Sequence, residues 1–270
     1  MKNQITVILR HRHLIWDLAL KDIKVRYRSP TLGFLWAIII PLVMVFIFKL
    51  IFSDILKMTI EECPFFIYLM TALFPWVYFS SSLNAATESI LGNRDLIKKT
   101  YFPRQTIPIA TVLANLINSL PSFVVMLLIL AFFKTPPTFM VLWLLPIIIL
   151  QTVFTIGLAF IVSSLTVITR DVKYLVEILI TVWFYLVPSF YPLATVAAAS
   201  GSLFKLYLLN PFVGFVILYR VTLLKGYADT LPPEVHLGGL IVWVAFVSVA
   251  AYFLGALVFQ KYERRLSDFI

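Results

Sequence analysis

The sequence predicts an all-α integral membrane protein: six transmembrane helices, an N-terminal amphipathic interface helix, and short re-entrant helices between spans 5 and 6. Hydrophobic residues make up 61% of the chain and charged residues 13%, a composition typical of polytopic membrane proteins. Five apolar runs are about 20 residues long, the length of a helix that crosses a bilayer. Most of the 22 Lys and Arg residues fall in segments that one side of the membrane would receive.

The first element is an amphipathic segment that leads into the first span. At helical spacing two faces differ: Trp16, Leu20, Ile23 and Tyr27 share one, and Asp17, Lys21, Lys24 and Arg28 share the other. Such a helix lies in a membrane surface with its apolar side down. Pro30 disfavours helical angles at Ser29, so the helix is expected to end there with a change of direction. A basic flank that only sets topology and a docking element are both open interpretations.

The spans follow in order along the chain. Five runs are plain, at 32–52, 65–86, 106–133, within 135–169, and at 237–259. A sixth begins near Tyr174 and reaches Val187, where Pro188 and Pro192 interrupt it. The region 193–224 breaks into apolar pieces too short to span, which is typical of re-entrant or interfacial segments.

The basic residues predict the orientation of the spans. They concentrate in the N-terminal segment, the loops after spans two and four, and the C-terminal tail. Short basic loops stay in the cytoplasm, so both termini are expected there. Lys49 and Arg220 are expected to snorkel to the outer interface. We predict one domain over 1–270, with an interface segment over 1–29, a six-span bundle over 30–260 and a tail over 261–270.

The loop over 92–108 is dense in charge between two spans. Asp95 is placed to cap a short helix that Pro103 would close. Tyr101 and Phe102 follow, and exposed aromatic side chains need a surface to cover them. The pattern indicates a docking knob, with a solvated loop that only sets topology as the alternative.

Aromatic residues make up 16% of the chain. Several lie in three spans: Phe34 and Trp36 in the first, Trp76, Tyr78 and Phe79 in the second, and Trp183, Phe184 and Tyr185 in the fifth. Aromatic belts at the membrane interfaces explain many such residues. The last three are consecutive, however, so at least one is expected to face inward. A path lined by aromatic faces suits the C–H faces of sugar rings.

Several mechanisms lack residues to support them. Charged side chains near mid-bilayer are nearly absent, which disfavours an ion-coupled carrier. The nine glycines include no G-x-x-x-x-G-K-[ST] phosphate loop, and no hydrolase or zinc-protease motif indicates an enzyme. One cysteine and three histidines make no disulfide or metal cluster. We expect no metal or cofactor on this chain and no nucleic-acid partner, because its basic residues sit in short loops.

Four stretches together resemble one family. They are LALKDIKVRYRSPTLGFLWAIIIP (18–41), IKKTYFPRQTIPIA (97–110), VPSFYP (187–192) and LNPFVGFVILYR (209–220). In order and over almost the whole chain, they are similar to the permease subunits of ABC-2 type exporters, in the branch that exports O-antigen, capsular polysaccharide or teichoic acid. The order Pro188-Ser189-Phe190-Tyr191-Pro192 departs from the family, where Ser-Pro often precedes the aromatic-Tyr-Pro motif.

This resemblance implies a transport subunit that is not itself an enzyme. It implies a homodimer in a bacterial plasma (inner) membrane, bound to two copies of a cytoplasmic ABC ATPase subunit that holds ATP and Mg. The substrate would be a lipid-linked polysaccharide taken from the cytoplasmic side. An ABC-2 exporter of lipids or drugs is the nearest alternative, and a passive channel, a membrane scaffold or a membrane glycosyl- or acyltransferase is a rival from another class.

The resemblance also assigns roles to three sets of residues. The ATPase-coupling set is Asp22, Arg26, Arg94, Asp95, Leu96, Lys98, Lys99, Tyr101 and Phe102. The translocation-path set is Phe34, Trp36, Trp76, Tyr78, Phe79, Trp183, Phe184 and Tyr185. The gate set is Pro188, Tyr191, Pro192, Asn210 and Pro211. ATP hydrolysis in the partner would move the coupling and interface helices as levers on spans one and five.

Overall fold

A computed structural model describes residues 10–27, 33–60, 63–133, 139–199 and 201–263. All regular elements in these ranges are helical. The α-helices are α1 Arg12–Arg26, α2 Trp36–Phe48, α3 Phe65–Gly92, α4 Arg94–Lys99, α5 Thr106–Phe132, α6 Leu144–Ile168, α7 Val172–Tyr185, α8 Leu193–Ala199, α9 Gly201–Leu208, α10 Pro211–Leu223 and α11 Leu237–Glu263. A π-helix, Lys49–Ile55, extends α2, and short 3₁₀ turns precede α2 and α6.

Five segments of the described chain are long and apolar enough to cross a membrane. They are Trp36–Ile55, Phe65–Gly92, Thr106–Phe132, Val141–Ile168 and Leu237–Glu263. They agree with the five plain runs of the sequence, and the all-α membrane class is confirmed. The predicted bend at Ser29-Pro30 and the side chain of Phe34 lie outside the described residues.

The predicted fifth span forms a shorter helix than the others. Helix α7 has 14 residues, about 21 Å at 1.5 Å per residue. It ends at Tyr185 because the segment up to Pro188 and Pro192 cannot continue a regular helix. The count of six spans therefore stays a prediction.

Helix α3 is the centre of the bundle. It packs against α2, α5, α6, α7 and α10, and most of its side chains are buried. Its hydroxyl side chains donate hydrogen bonds to backbone carbonyls of the same helix. Thr71 donates to the Tyr68 carbonyl at 2.7 Å and Ser82 to the Tyr78 carbonyl at 2.7 Å. Such bonds let small polar residues lie between helices where no water can pair with them.

Helices α6 and α11 make the closest helix contact in the described chain. A Cβ atom added to Gly255 would lie 1.9 Å from the Gly157 carbonyl oxygen, and one added to Gly157 would lie 2.4 Å from the Ala251 carbonyl. Small residues at the crossing let two membrane helices approach closely and pack by dispersion. Only glycine fits at these two positions.

Helix α1 packs along α5. Its buried residues are Ile15, Leu18 and Ala19, while Trp16 is 52% exposed. The packed stripe is thus offset by one residue, about 100° around the helix, from the apolar face that the sequence predicts. The offset arises because α5 offers polar partners that draw Asp22 and Arg26 onto the packed side.

Three short helices occupy the broken region between α7 and α11. Helix α10 is the most buried of the three, since nearly all its side chains are enclosed by the bundle. It begins with the Asn210 side chain accepting from the Phe212 backbone N–H at 3.1 Å, with Pro211 in the first turn. Arg220 of this helix is fully buried, so the prediction that it snorkels outward is wrong. A re-entrant path for α8 to α10 stays a prediction.

Candidate functional site

Helix α4 is a short exposed helix between the ends of α3 and α5. Arg94, Asp95, Lys98, Lys99 and Tyr101 are exposed, and Leu96 and Phe102 are partly buried. The predicted cap is wrong, because Asn93 is the N-cap and Asp95 lies in the first turn, where a carboxylate meets the positive end of the helix dipole. The helix ends at Lys99, before Pro103, because Thr100 is extended.

A ladder of polar contacts fastens α1 to α5. Thr111 donates to the Asp22 carboxylate at 3.3 Å, and Arg26 Nη1 donates to Asn115 Oδ1 at 3.0 Å. The Tyr27 hydroxyl donates to Asn118. The partners recur every three to four residues along α5, so one helix face carries the whole ladder. Asp22 and Arg26 therefore hold α1 to the bundle, and their coupling role stays a prediction.

The contact with α5 partly buries the Asp22 carboxyl. Burial raises its pKa above the ordinary value, and Lys21, the Thr111 hydroxyl and Arg26 oppose the shift only in part. A second tie lies at the end of α11, where Arg104 Nη1 donates to the Glu263 carbonyl oxygen at 2.9 Å.

Asn93 joins the two predicted coupling elements and was not predicted from the sequence. Its Oδ1 accepts a hydrogen bond from Lys21 Nζ of α1, and its Nδ2 donates to the Ser89 carbonyl of α3 at 2.8 Å. The same residue occupies the N-cap position of α4. A polar residue directly after a predicted span and before a charged helix was the available signal.

A groove of about 350 Å³ opens between α2, α3 and α7. Its apolar and aromatic lining residues are Met44, Phe48, Leu73, Trp76, Ile180, Phe184 and Tyr185, and its polar ones are Ser80, Asn84, Glu177 and Thr181. Asn84, Glu177 and Thr181 are exposed. Polar and charged side chains on membrane helices are costly against hydrocarbon, so this surface is suited to water, a polar solute or another polypeptide.

The predicted path residues divide between the groove and the core. Trp76, Phe184 and Tyr185 line the groove, and Trp36 is exposed near the start of α2. Tyr78 and Phe79 are buried within the chain and do not line this groove. Their burial follows from the central position of α3, whose opposite side meets α6: the Tyr78 hydroxyl donates to Thr152 at 3.0 Å.

An aromatic cluster connects the groove wall to α10. Trp76 meets Phe212 edge-on at 4.7 Å between ring centroids, and Phe79 meets Trp183 edge-on at 5.3 Å. Edge-to-face pairs of this kind add to the energy of burial. The cluster packs the groove wall against α10. Trp183 does not line the groove, but it contacts the wall residue Trp76.

The predicted gate residues converge at the end of α7. Asn210 Oδ1 accepts from Trp183 Nε1 at 2.8 Å, and its Nδ2 donates to the Leu186 carbonyl at 3.0 Å. The Tyr191 hydroxyl donates to the Tyr185 carbonyl at 3.2 Å and lies 3.0 Å from the Tyr207 hydroxyl. Pro188 is buried, and Pro192 and Pro211 are partly buried. These bonds hold the proline-interrupted segment against α9 and α10.

The fold and the groove define a multi-pass helical membrane protein with a polar and aromatic surface among its spans. The sequence profile of the family described as ABC-2 type transporter matches residues 13–224. The chain belongs to this family.

Three curated relatives are similar over nearly the full length. The O-antigen export system permease protein RfbA of Myxococcus xanthus is 30% identical over 263 residues, 97% of each chain. A protein of the same name from Klebsiella pneumoniae is 29% identical over 251 residues, 93% of this chain and 92% of the relative. The polysialic acid transport protein KpsM of Escherichia coli is 26% identical over 257 residues, 92% and 93% of the two chains.

Proposed function

We propose that this chain is the transmembrane permease subunit of an ATP-driven transporter that exports a lipid-linked polysaccharide of the O-antigen, capsule or teichoic acid type. The observation that carries the proposal is the groove between α2, α3 and α7, which combines aromatic walls with polar side chains. The relatives named for O-antigen export and polysialic acid transport support the same class of substrate.

The chemistry of the groove suits a sugar chain. Aromatic faces such as Trp76 and Tyr185 pack on the C–H faces of pyranose rings without fixing one register. Ser80, Asn84 and Thr181 offer hydroxyl and amide groups to sugar hydroxyls. Contacts of both kinds are individually weak, so a polymer can slide past them.

Two copies of the chain would close the path. The first membrane segment is mostly unburied within one chain, and α7 exposes Ile178, Leu179 and Val182 beside the groove. A partner copy on this face would cover the apolar residues and enclose Glu177 and Thr181 away from lipid. We therefore propose a homodimer whose two grooves face each other.

The driving force would come from outside the chain. We propose that two copies of a cytoplasmic ABC ATPase subunit, which hold ATP and Mg, dock on α4 and α1 at the inner face of the bacterial plasma membrane, where both termini lie. Exposed Tyr101 and the basic residues of α4 offer the contact surface. Asn93 would pass a movement of α4 and α1 to α3, which lines the groove.

Co-expression with a candidate ABC ATPase from the same organism, in a host that lacks its own permease, tests the proposal. The ATPase is expected to co-purify through a tag on this chain, and glycan is expected at the cell surface. The double variant Tyr101→Ala/Phe102→Ala is expected to leave glycan in the cytoplasm while ATP is still hydrolysed. Phe132→Ala, an exposed aromatic residue at the other end of α5, is the matched control. Absence of a co-purifying ATPase, with normal surface glycan, would refute the proposal.

A further inference from the structure

Arg220 is the one fully buried charged residue in the described part of the chain. Its Nη1 donates to the Tyr68 hydroxyl at 2.7 Å and its Nη2 to the Ser189 carbonyl at 3.1 Å. Its guanidinium carbon lies 3.5 Å from the centre of the Tyr68 ring and 5.9 Å from that of Tyr227. Aromatic faces and neutral acceptors reduce the cost of burying this cation, but they carry no negative charge to neutralise it.

The described residues supply no carboxylate for this guanidinium. Their two ion pairs are Lys49 with Asp54 and Lys173 with Glu88, both exposed. Arg220 Nε, Ser189 Oγ and the Tyr227 hydroxyl are also buried without a hydrogen-bond partner. Three unpaired polar atoms around one uncompensated charge are unusual, because each costs free energy unless something else pairs with it.

A cavity of about 360 Å³ lies against the same two tyrosines. Tyr68 and Tyr227 form its wall toward Arg220, and Thr59, Thr195 and Thr230 add hydroxyl groups. Pro192 and Leu193 of the segment after α7 complete the wall. In the predicted topology this is the outer side of the membrane. The field of a buried charge acts strongly through such a wall, because the surroundings are of low dielectric constant.

We propose that this cavity is an anion subsite that receives a carboxylate or phosphate group of the exported glycan. The Arg220 charge attracts the anion through the tyrosine wall, and the Thr59 and Thr195 hydroxyls of the lining donate to it. The inference rests on the proposed function for the source of the ligand, and it specifies an acidic or phosphate-bearing polymer. A glycan leaving the groove would meet this subsite next to the segment that carries Tyr191 and Pro192.

Binding measurements on the full permease–ATPase complex in nanodiscs test the subsite without relying on export. The probes are radiolabelled inorganic phosphate and glucuronate, with glucose as the neutral control. Both anions are expected to bind saturably and glucose is not. Arg220→Gln is expected to lower the affinity for both anions at least tenfold, and Arg220→Lys is expected to retain part of it. Binding of glucose equal to that of glucuronate would overturn the proposal.

Thr195→Val is the decisive variant, because it removes one hydroxyl from the cavity lining and keeps the size of the side chain. A purely structural cluster predicts an unchanged or slightly raised unfolding temperature and unchanged anion binding. The proposal predicts the same unfolding behaviour with a several-fold loss of affinity. Glu61→Gln/Glu62→Gln serves as a further arm, since these carboxylates precede Cys63 in the sequence. If wild type binds neither anion but this double variant does, a carboxylate of the chain itself neutralises Arg220. The subsite proposal then fails. If neither the wild type nor any variant binds phosphate or glucuronate while the complex still exports glycan, the subsite proposal fails and the proposed function stands.

Discussion

Lys21 Nζ donates a hydrogen bond to Asn93 Oδ1, and this contact links α1 to the junction of α3 and α4. The two residues are 72 positions apart in sequence. Asn93 also occupies the N-cap position of α4, and its Nδ2 donates to the Ser89 carbonyl. The two helices proposed to contact the ATPase thus share one side chain.

Removing this contact is expected to weaken the coupling of ATP hydrolysis to export. Lys21→Ala and Asn93→Ala should each lower glycan exported per ATP hydrolysed, and the double variant should lower it no further than the worse single one, because both remove the same contact. Surface glycan and phosphate release in the same cells measure the ratio. Lys24→Ala, an exposed lysine on the same helix, is the control. Fully additive losses would show that the pair does not act as a unit.

Substitution at the α6–α11 crossing is expected to destabilise the fold. Gly255→Ala places a methyl group 1.9 Å from the Gly157 carbonyl oxygen, which forces the helices apart and costs about 3 kcal/mol by analogy with overpacked cores. Gly238→Ala makes the same change on the same helix where nothing lies within 4 Å. Thermal unfolding in detergent compares the two. Equal unfolding temperatures would contradict the close contact.

The pH dependence of stability is expected to report on Asp22. Burial raises the pKa of its carboxyl, so the folded protein holds this proton more tightly than the unfolded chain. The stabilisation from Asp22 is therefore complete at low pH and is lost as the pH rises through the raised pKa. Asp22→Asn should be at least as stable as wild type at neutral pH, with a shallower pH profile. Asp17→Asn, on the exposed side of α1, is the matched substitution against which the profile of Asp22→Asn is compared.

The amide of Asn210 is expected to hold the proline-interrupted segment that follows α7 in place. Asn210→Ala removes its bonds to Trp183, the Leu186 carbonyl and the Phe212 N–H, which should lower stability by about 2 to 3 kcal/mol at roughly 1 kcal/mol per bond. Proteolysis of the 186–211 segment should become faster, as measured by limited digestion. Lys205→Ala, an exposed position on α9, should digest at the wild-type rate.

The helices could be predicted from the sequence because hydrophobic run length sets the span of a membrane helix. Pro188 and Pro192 likewise predicted that α7 ends close to Val187. Whether an individual side chain lies inside the bundle or on its surface could not be predicted in this way. Tyr78 and Phe79 are buried because α3 is central, which depends on contacts from five other helices.

Arg220 shows the same limit for charge. A lone arginine near a span end is expected to reach the interface, and only the placement of Tyr68 and the Ser189 carbonyl makes its burial possible. The stripe that α1 packs on α5 depends in the same way on Thr111 and Asn115, which lie about 90 residues further along the chain.

The groove itself can be tested by truncating one exposed wall residue. Tyr185 is 61% exposed, so Tyr185→Ala should change stability by less than about 1 kcal/mol. Export should nevertheless fall several-fold, because an aromatic contact to the sugar chain is lost. Surface glycan and unfolding temperature are measured together. Trp143→Ala, also exposed but outside the groove, should leave both unchanged.

Photo-cross-linking from the groove tests the central claim most directly. A benzoyl-phenylalanine at position 185, in cells that contain the ATPase subunit and synthesise the glycan, is expected to yield an adduct that carries glycan. The same probe at position 143 or 132 should yield none, and the 185 adduct should disappear when the ATPase is absent. An adduct at 185 that contains only lipid, or glycan adducts of equal yield at all three positions, would contradict the proposed translocation path.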